Sequence, residues 1–226
     1  MRAAGKFAIF TAVVCALAAT VCAGFCFGHW NREQGKYGGD LDFRVSAMTT
    51  AYFDQFNRAP EGPDVFSVSQ AREIEESGQA PAGFTWLPLS RFDLVVTGGG
   101  IEPRGITRVA NGQEFLLVAN LPEMMLTHSA DKPAWGIKSV EMTSTYIYGP
   151  VVKRVQIDFD DAGKDLLRQF TEKYVRHSIA VVVDGQVIAN FGLLSPIRRG
   201  GLGLTYPEGA EAVAGKLRDS LTSQQK

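Results

Sequence analysis

Cysteine is scarce and placed where it cannot staple a fold. The three in this chain, Cys15, Cys22 and Cys26, all lie in one apolar stretch near the start, so the roughly 200 residues that follow have no thiol to pair. That body must rest on a hydrophobic core, and it is long enough to bury one. Histidine is as sparse: His29, His128 and His177 are the only ones, and none has the close helical spacing of a zinc motif. An excess of either charge is missing too, with 23 basic against 24 acidic side chains. A nucleic-acid binder would need a basic face for its phosphate contacts, so no nucleic-acid partner is expected.

Catalytic signatures are equally thin. Gly98-Gly99-Gly100 is followed by no lysine-serine pair and no helix start, and Pro103 and Gly105 prolong the loop, so it reads as a strand connection and not a phosphate cradle. Gly209 to Lys216 has one residue too many for a phosphate loop, and Leu217 stands where Ser or Thr would reach magnesium. Asp158, Asp160 and Gly163 have a calcium-loop flavour, yet Gln169 occupies the position that needs a bidentate Glu. No nucleophile-elbow pattern occurs, although a dispersed triad of Ser, His and Asp stays open. The expectation is a chain with no catalytic residues, no metal and no cofactor.

What is present begins with Arg2 and Lys6, followed by an uncharged run from Phe7 to Phe27. This is the pattern of an export segment. Three readings stay open: cleavage after Val21-Cys22-Ala23, retention as an N-terminal anchor, for which about 20 apolar residues suffice, or lipid attachment at Cys22 or Cys26. Each puts the remainder outside the cytoplasm, in the periplasm or on the inner membrane facing it. Residues 1–28 are accordingly a signal peptide or anchor, and 29–39 a polar tether; an uncleaved segment would give membrane contact.

Leu41, Phe43 and Val45 alternate with Asp42, Arg44 and Ser46 as a first strand. Asn57 to Asp64, with Pro60, Gly62 and Pro63, is a loop. Ser67 to Ser77 reads as a short helix with Ser69 as candidate cap, Ala71 and Ile74 inward, and Gly78 ending it. Phe84, Trp86 and Leu87, then Phe92, Leu94, Val95 and Val96, suggest strands. Ala110 to Gly112 turns, Glu114 to Leu121 is a strand stopped by Pro122, and Met124, Met125 and Leu126 are read as core, with an exposed adaptable surface as the alternative. Val140 to Tyr148 carries Val140, Met142, Ser144, Tyr146 and Tyr148 on one face of a further strand.

From Val151 every segment states its structure. Val155, Ile157 and Phe159 alternate with Gln156, Asp158 and Asp160 as a half-buried strand. From Asp161 the period changes: Leu166, Phe170 and Tyr174, with Leu167, Thr171 and Val175 beside them, form one stripe of a helix that has acidic residues at its positive end. Ser178 to Asn190 holds two β-branched runs around Asp184-Gly185, a pair suited to a tight hairpin turn. Pro196, Ile197, Gly200 and Gly201 break the chain, Leu202 to Thr205 is a short strand, and a helix begins at Pro207 with Ala210, Val213, Ala214 and Leu217 on its apolar side.

This order resembles the first periplasmic domain of the SecD family, accessory subunits of the bacterial Sec protein-export machinery. The likeness lies in VQIDFDDAGKDLLRQFT, IAVVVDGQVIAN, PIRRGG and PEGAEAVA, with weaker matches in LDFRV, APAGFTWLPL and EFLLVANLPEMML. The family motif falls on Phe159, Gly163, Phe170, Thr171, Ala180, Asp184, Gly185, Pro196, Ile197, Gly200 and Gly201, in structural roles. The resemblance implies an α+β fold with a ferredoxin-like head over 135–221, a β-rich partner region over 40–134 and a short tail at 222–226. It also implies a non-catalytic module that binds a protein partner or unfolded polypeptide, with components of the Sec translocon as candidates. Three departures limit it: no second apolar span follows, so the proton-driven step of SecD is not expected of this chain alone, the glycine-rich motif that opens the SecD periplasmic region is not evident after the N-terminal segment, and the stretch from Gly201 to Glu208 is shorter than its family counterpart. A periplasmic small-ligand binder or enzyme reusing the fold is the alternative.

Overall fold

In the computed structural model the described residues are 41–52, 61–90, 105–128, 135–146, 151–206 and 211–222, all within the unit Lys36–Lys226. The export segment, the tether, Asn57 to Pro60, Phe92 to Val96, the triple glycine, Tyr148, Pro207 to Ala210 and the last residues lie outside them.

The chain is α+β with mostly antiparallel sheets, and its first strand, β1 (Leu41–Ser46), is central. Leu41, Phe43 and Val45 are fully buried, as the alternation implies. The opposite face departs from a half-buried strand, because Asp42 and Ser46 are buried as well. Partners on both sides explain this. One edge of β1 pairs along its length with β10 (Ser178–Val183), from Leu41↔Val183 to Ser46↔Ser178. The other edge meets β7 (Met125–His128) and, at Ser46, β6 (Gln113–Ala119). β4 (Phe84–Pro88) and β5 (Thr107–Ala110) join β6, and β11 (Gln186–Gly192) joins β10, completing a seven-stranded sheet. β1 therefore ties the expected partner region to the expected head by hydrogen bonds.

The second sheet has three strands, in the order β12 (Gly201–Tyr206), β9 (Val151–Phe159), β8 (Ile137–Tyr146). A ferredoxin-like unit would hold β9 and the β10–β11 hairpin in one sheet, with β9 beside β11. The pairing found is different: β9 lies between β12 and β8, while β10 lies between β1 and β11. The sheets meet through aromatic side chains. The rings of Phe43 and Phe159 stand edge to face at 5.9 Å, and Trp135 meets Phe159 at 5.3 Å. Such pairs add about 0.5–1.5 kcal/mol each beyond the area they bury. A smaller cluster of Leu116, Val118, Ala180, Val182 and Val187 covers the other face of the large sheet. A short parallel pair, β2 (Met48–Thr49) with β3 (Val65–Phe66), lies apart.

Three α-helices complete the described chain. α1 (Val68–Ser77) is capped by Ser67 and not by Ser69: Ser67 Oγ accepts from Gln70 N–H, and Gln70 Oε1 accepts from Ser67 N–H at 2.9 Å. Gln70, three residues after Ser67, is the sequence mark of this reciprocal cap. α2 (Asp161–Lys173) starts at Asp160, whose carboxylate accepts from Gly163 N–H at 2.7 Å. Its buried stripe is Gly163, Leu167, Phe170 and Thr171, continued by Tyr174, with Leu166 at the rim. α3 (Glu211–Thr222) buries Ala214, Leu217 and Leu221 and packs on β8, β9 and β10. The turn between β10 and β11 has φ of 49° at Asp184 and 75° at Gly185, the paired positive values of a two-residue hairpin turn. Asn111 and Gly112 repeat this between β5 and β6, with φ of 52° and 75°.

Candidate functional site

β11 runs out at Gly192, and the chain folds back on itself there. Leu193 N–H donates to His177 O at 2.8 Å and Arg176 N–H to Leu193 O. The segment that follows, Leu194 to Gly200, is fastened to α2. Thr171 Oγ donates to Leu167 O at 2.7 Å and accepts from Ile197 N–H at 3.0 Å. One hydroxyl thus satisfies a buried helix carbonyl and a loop amide together. Gly200, at a positive φ of 69°, lies against the Lys164 stem, and its carbonyl accepts from Phe159 N–H at 3.1 Å before the chain enters β12. Phe159, Thr171, Ile197, Gly200 and Gly201, far apart in sequence, converge here.

Between this loop, β11, β9 and β12 runs a groove of about 750 Å³. Its floor comes from Phe191, Leu193 and Leu202, and Leu194 stands at its rim, 53% exposed. Three guanidinium groups line it, from Arg154, Arg198 and Arg199, and no Asp or Glu does. Arg198 and Arg199 point into solvent from the loop. Arg154 is half-buried on the outer face of β9 and occupies the space where a side chain at position 203 would stand. Any residue other than Gly203 would displace it. Arg154 Nε is sealed from solvent without a hydrogen-bond partner, and none of the three arginines forms an ion pair among the described residues. Asp158, beside Gly201, is engaged by Ser139 Oγ at 3.1 Å and Gln156 Nε2 at 3.0 Å.

A second hollow lies along Val68, Ser69, Arg72, Glu73, Glu76 and Ser77. All of these belong to one helix face, so nothing converges on it from another element. The groove beside Arg154 is the better candidate because two edge strands, one central strand and a pinned loop build it.

The structure also joins His177 to Asp64, which sequence spacing does not reveal. His177 Nδ1 lies 2.7 Å from Asp64 Oδ2, both residues are buried, and the Tyr174 ring stands edge-on to the imidazole at 5.6 Å. A Cβ at Gly62 would come within 2.5 Å of Asp64 Oδ1, so the pair is packed close on that side.

The remaining motif residues are dispersed. Ala180 sits in the smaller core cluster, Asp184 and Gly185 at the hairpin tip, and Phe170 under α2. Gly163 packs against Phe159 and Trp135, where a Cβ would come 2.9 and 3.1 Å from their carbons. Pro196 is half-buried in the groove loop. Of the methionines and leucine after Pro122, Met124 is in the core and Leu126 packs against it half-buried, while Met125 is half-buried outside both core clusters. Among the described residues no three His, Cys, Asp or Glu side chains cluster to hold a metal ion, and no described helix is long and apolar enough to cross a membrane.

Comparison with protein-family models, with curated proteins and with solved structures finds no match for this chain.

Proposed function

We propose that this chain is a non-catalytic extracytoplasmic module of the SecD head type that docks a protein partner, either an exported polypeptide or a component of the Sec machinery. The observation that carries the reading is the groove between β11 and β12, an open trough with an apolar floor and Leu194 at its rim. Edge strands beside an apolar trough suit an extended chain, which can add main-chain hydrogen bonds to side-chain contacts. Sequence order supports the family part of the reading: strand, helix, hairpin, looped PIRRGG, strand, helix. For the finer element, a ferredoxin-like head, the support is this order of elements alone, since β9 and the β10–β11 hairpin belong to different sheets.

A second reading, a periplasmic small-ligand binder or enzyme, draws on the buried pair of His177 and Asp64, since a carboxylate that orients an imidazole is a common part of acid–base machinery. The close packing around the pair favours a structural role for it.

Photo-crosslinking in intact cells tests the proposal. A photoreactive amino acid at position 194 should capture extracytoplasmic polypeptides, while the same group at Val109, 66% exposed and away from the groove, should not. Equal capture at both positions, or none at either, would count against docking through this groove.

A further inference from the structure

Building on the docking reading, we infer that the groove selects an extended polypeptide segment that carries carboxylates, held by Arg154, Arg198 and Arg199. Charge is the discriminating feature. Three guanidinium groups line the trough with no acid among its lining residues, in a chain whose overall charge is nearly balanced. Outside the groove, Arg44 pairs with Asp42, Arg168 with Asp165 and Glu172, and Arg218 with Asp219, while Arg72, Arg108 and Arg176 form no ion pair among the described residues, so what sets the groove apart is that three guanidinium groups gather on one trough. Among the described residues these three guanidinium groups have no acidic partner, so a carboxylate beside the apolar floor would complement them in charge, and the fork geometry of arginine fits a carboxylate bidentately.

The arrangement of the three is itself informative. Arg154 is fixed, because β9 holds its backbone and Gly203 gives its side chain a bed on β12. Arg198 and Arg199 are exposed on a loop whose amide at Ile197 is tied to Thr171. One seated and two adjustable cations along a trough match a segment with spaced acidic residues better than a single compact anion. Apolar residues between the acids would meet Phe191, Leu193, Leu194 and Leu202. The occupant is thus an acidic, apolar-interrupted peptide and not an anionic membrane, whose flat surface cannot enter a trough.

The test uses the full chain in detergent micelles and fluorescence anisotropy with three labelled peptides of alternating apolar and polar residues, the polar positions being Glu, Gln or Lys. The Glu peptide should bind at least about tenfold more tightly than the Gln peptide, and raising the salt from about 0.1 to 1 M should remove most of that preference. Arg198→Gln/Arg199→Gln, exposed and therefore without cost to the fold, should abolish the preference, and Arg154→Gln should weaken it with an unchanged melting curve. Equal binding of the Glu and Gln peptides, lost in Leu194→Asp, would overturn the charge selection and leave the docking reading intact. Failure of all three peptides to bind would overturn both. Binding to phosphatidylglycerol vesicles in preference to the Glu peptide, through the same arginines, would assign the groove to a membrane surface and overturn the inference.

Discussion

His177 Nδ1 and Asp64 Oδ2, 113 positions apart in sequence, meet at 2.7 Å with both residues buried. The contact ties the turn before β3 to the start of β10. Removing one partner leaves the other buried without its hydrogen bond, so Asp64→Ala should cost about 1–3 kcal/mol in urea unfolding. The double variant Asp64→Ala/His177→Ala should lose clearly less than the sum of the single losses, by about 0.5–3 kcal/mol. Strict additivity would mean that the contact contributes nothing.

Phe170→Ala should cost about 3–5 kcal/mol, the range of a large-to-small change in a packed core. Phe170 lies in the buried stripe of α2, with its ring 5.1 Å from that of Tyr174. Denaturant unfolding checks this, and a loss below about 1 kcal/mol would belong to a surface position.

The hairpin turn separates backbone geometry from chemistry. Gly185 has φ of 75° and open space where a Cβ would stand, so any loss in Gly185→Val comes from backbone conformation alone. It should amount to about 1–2 kcal/mol. Asp184, at φ of 49°, is in a conformation that Asn also tolerates, and Asp184→Asn should leave the melting temperature nearly unchanged. Loss of partner binding in Asp184→Asn with an unchanged melting temperature would give that carboxylate a functional role instead.

Tyr206, 1% exposed at the end of β12, has its phenol pushed above the ordinary tyrosine range because burial disfavours the phenolate. The unfolded chain releases this proton near pH 10 while the folded chain keeps it, so the unfolded state gains from alkali. The stability linked to Tyr206 is whole below about pH 10 and falls above it, by about 1.4 kcal/mol per pH unit. Tyr206→Phe should therefore have a shallower alkaline limb than the parent when unfolding is followed from about pH 9 to 11. Parallel limbs would mean that this phenol ionises as freely when folded as when unfolded.

The local signals in the sequence were readable where one residue pattern decides the outcome. Val155, Ile157 and Phe159 all face the core, the stripe through Leu167, Phe170 and Thr171 is buried, and Asp184-Gly185 turns as that pair should. Pairing was not readable, because neither the alternation of β9 nor the continuous apolar run of β10 specifies which sheet receives it. β1 shows the limit most clearly. Asp42, Arg44 and Ser46 look solvent-facing in sequence, yet neighbours on both edges and a second cluster behind the sheet cover that face. β5 escaped because Thr107 to Ala110 is too short to show a period, although Asn111-Gly112 marked the turn after it. The groove was hidden for a related reason. PIRRGG reads as a chain break, and only the contacts of Thr171 with Ile197 and of Arg154 with Gly203 make that break one wall of a trough.

Amide hydrogen exchange on the full chain, with and without a permanently unfolded acidic polypeptide, asks most directly whether this groove is the docking site. The expected result is slowed exchange confined to 191–203 and to β9 around Arg154, with the amides around His177 and the Asp184-Gly185 turn unchanged. No protection along 191–203, or protection centred on α1 or on the hairpin turn, would contradict docking through the arginine-lined groove.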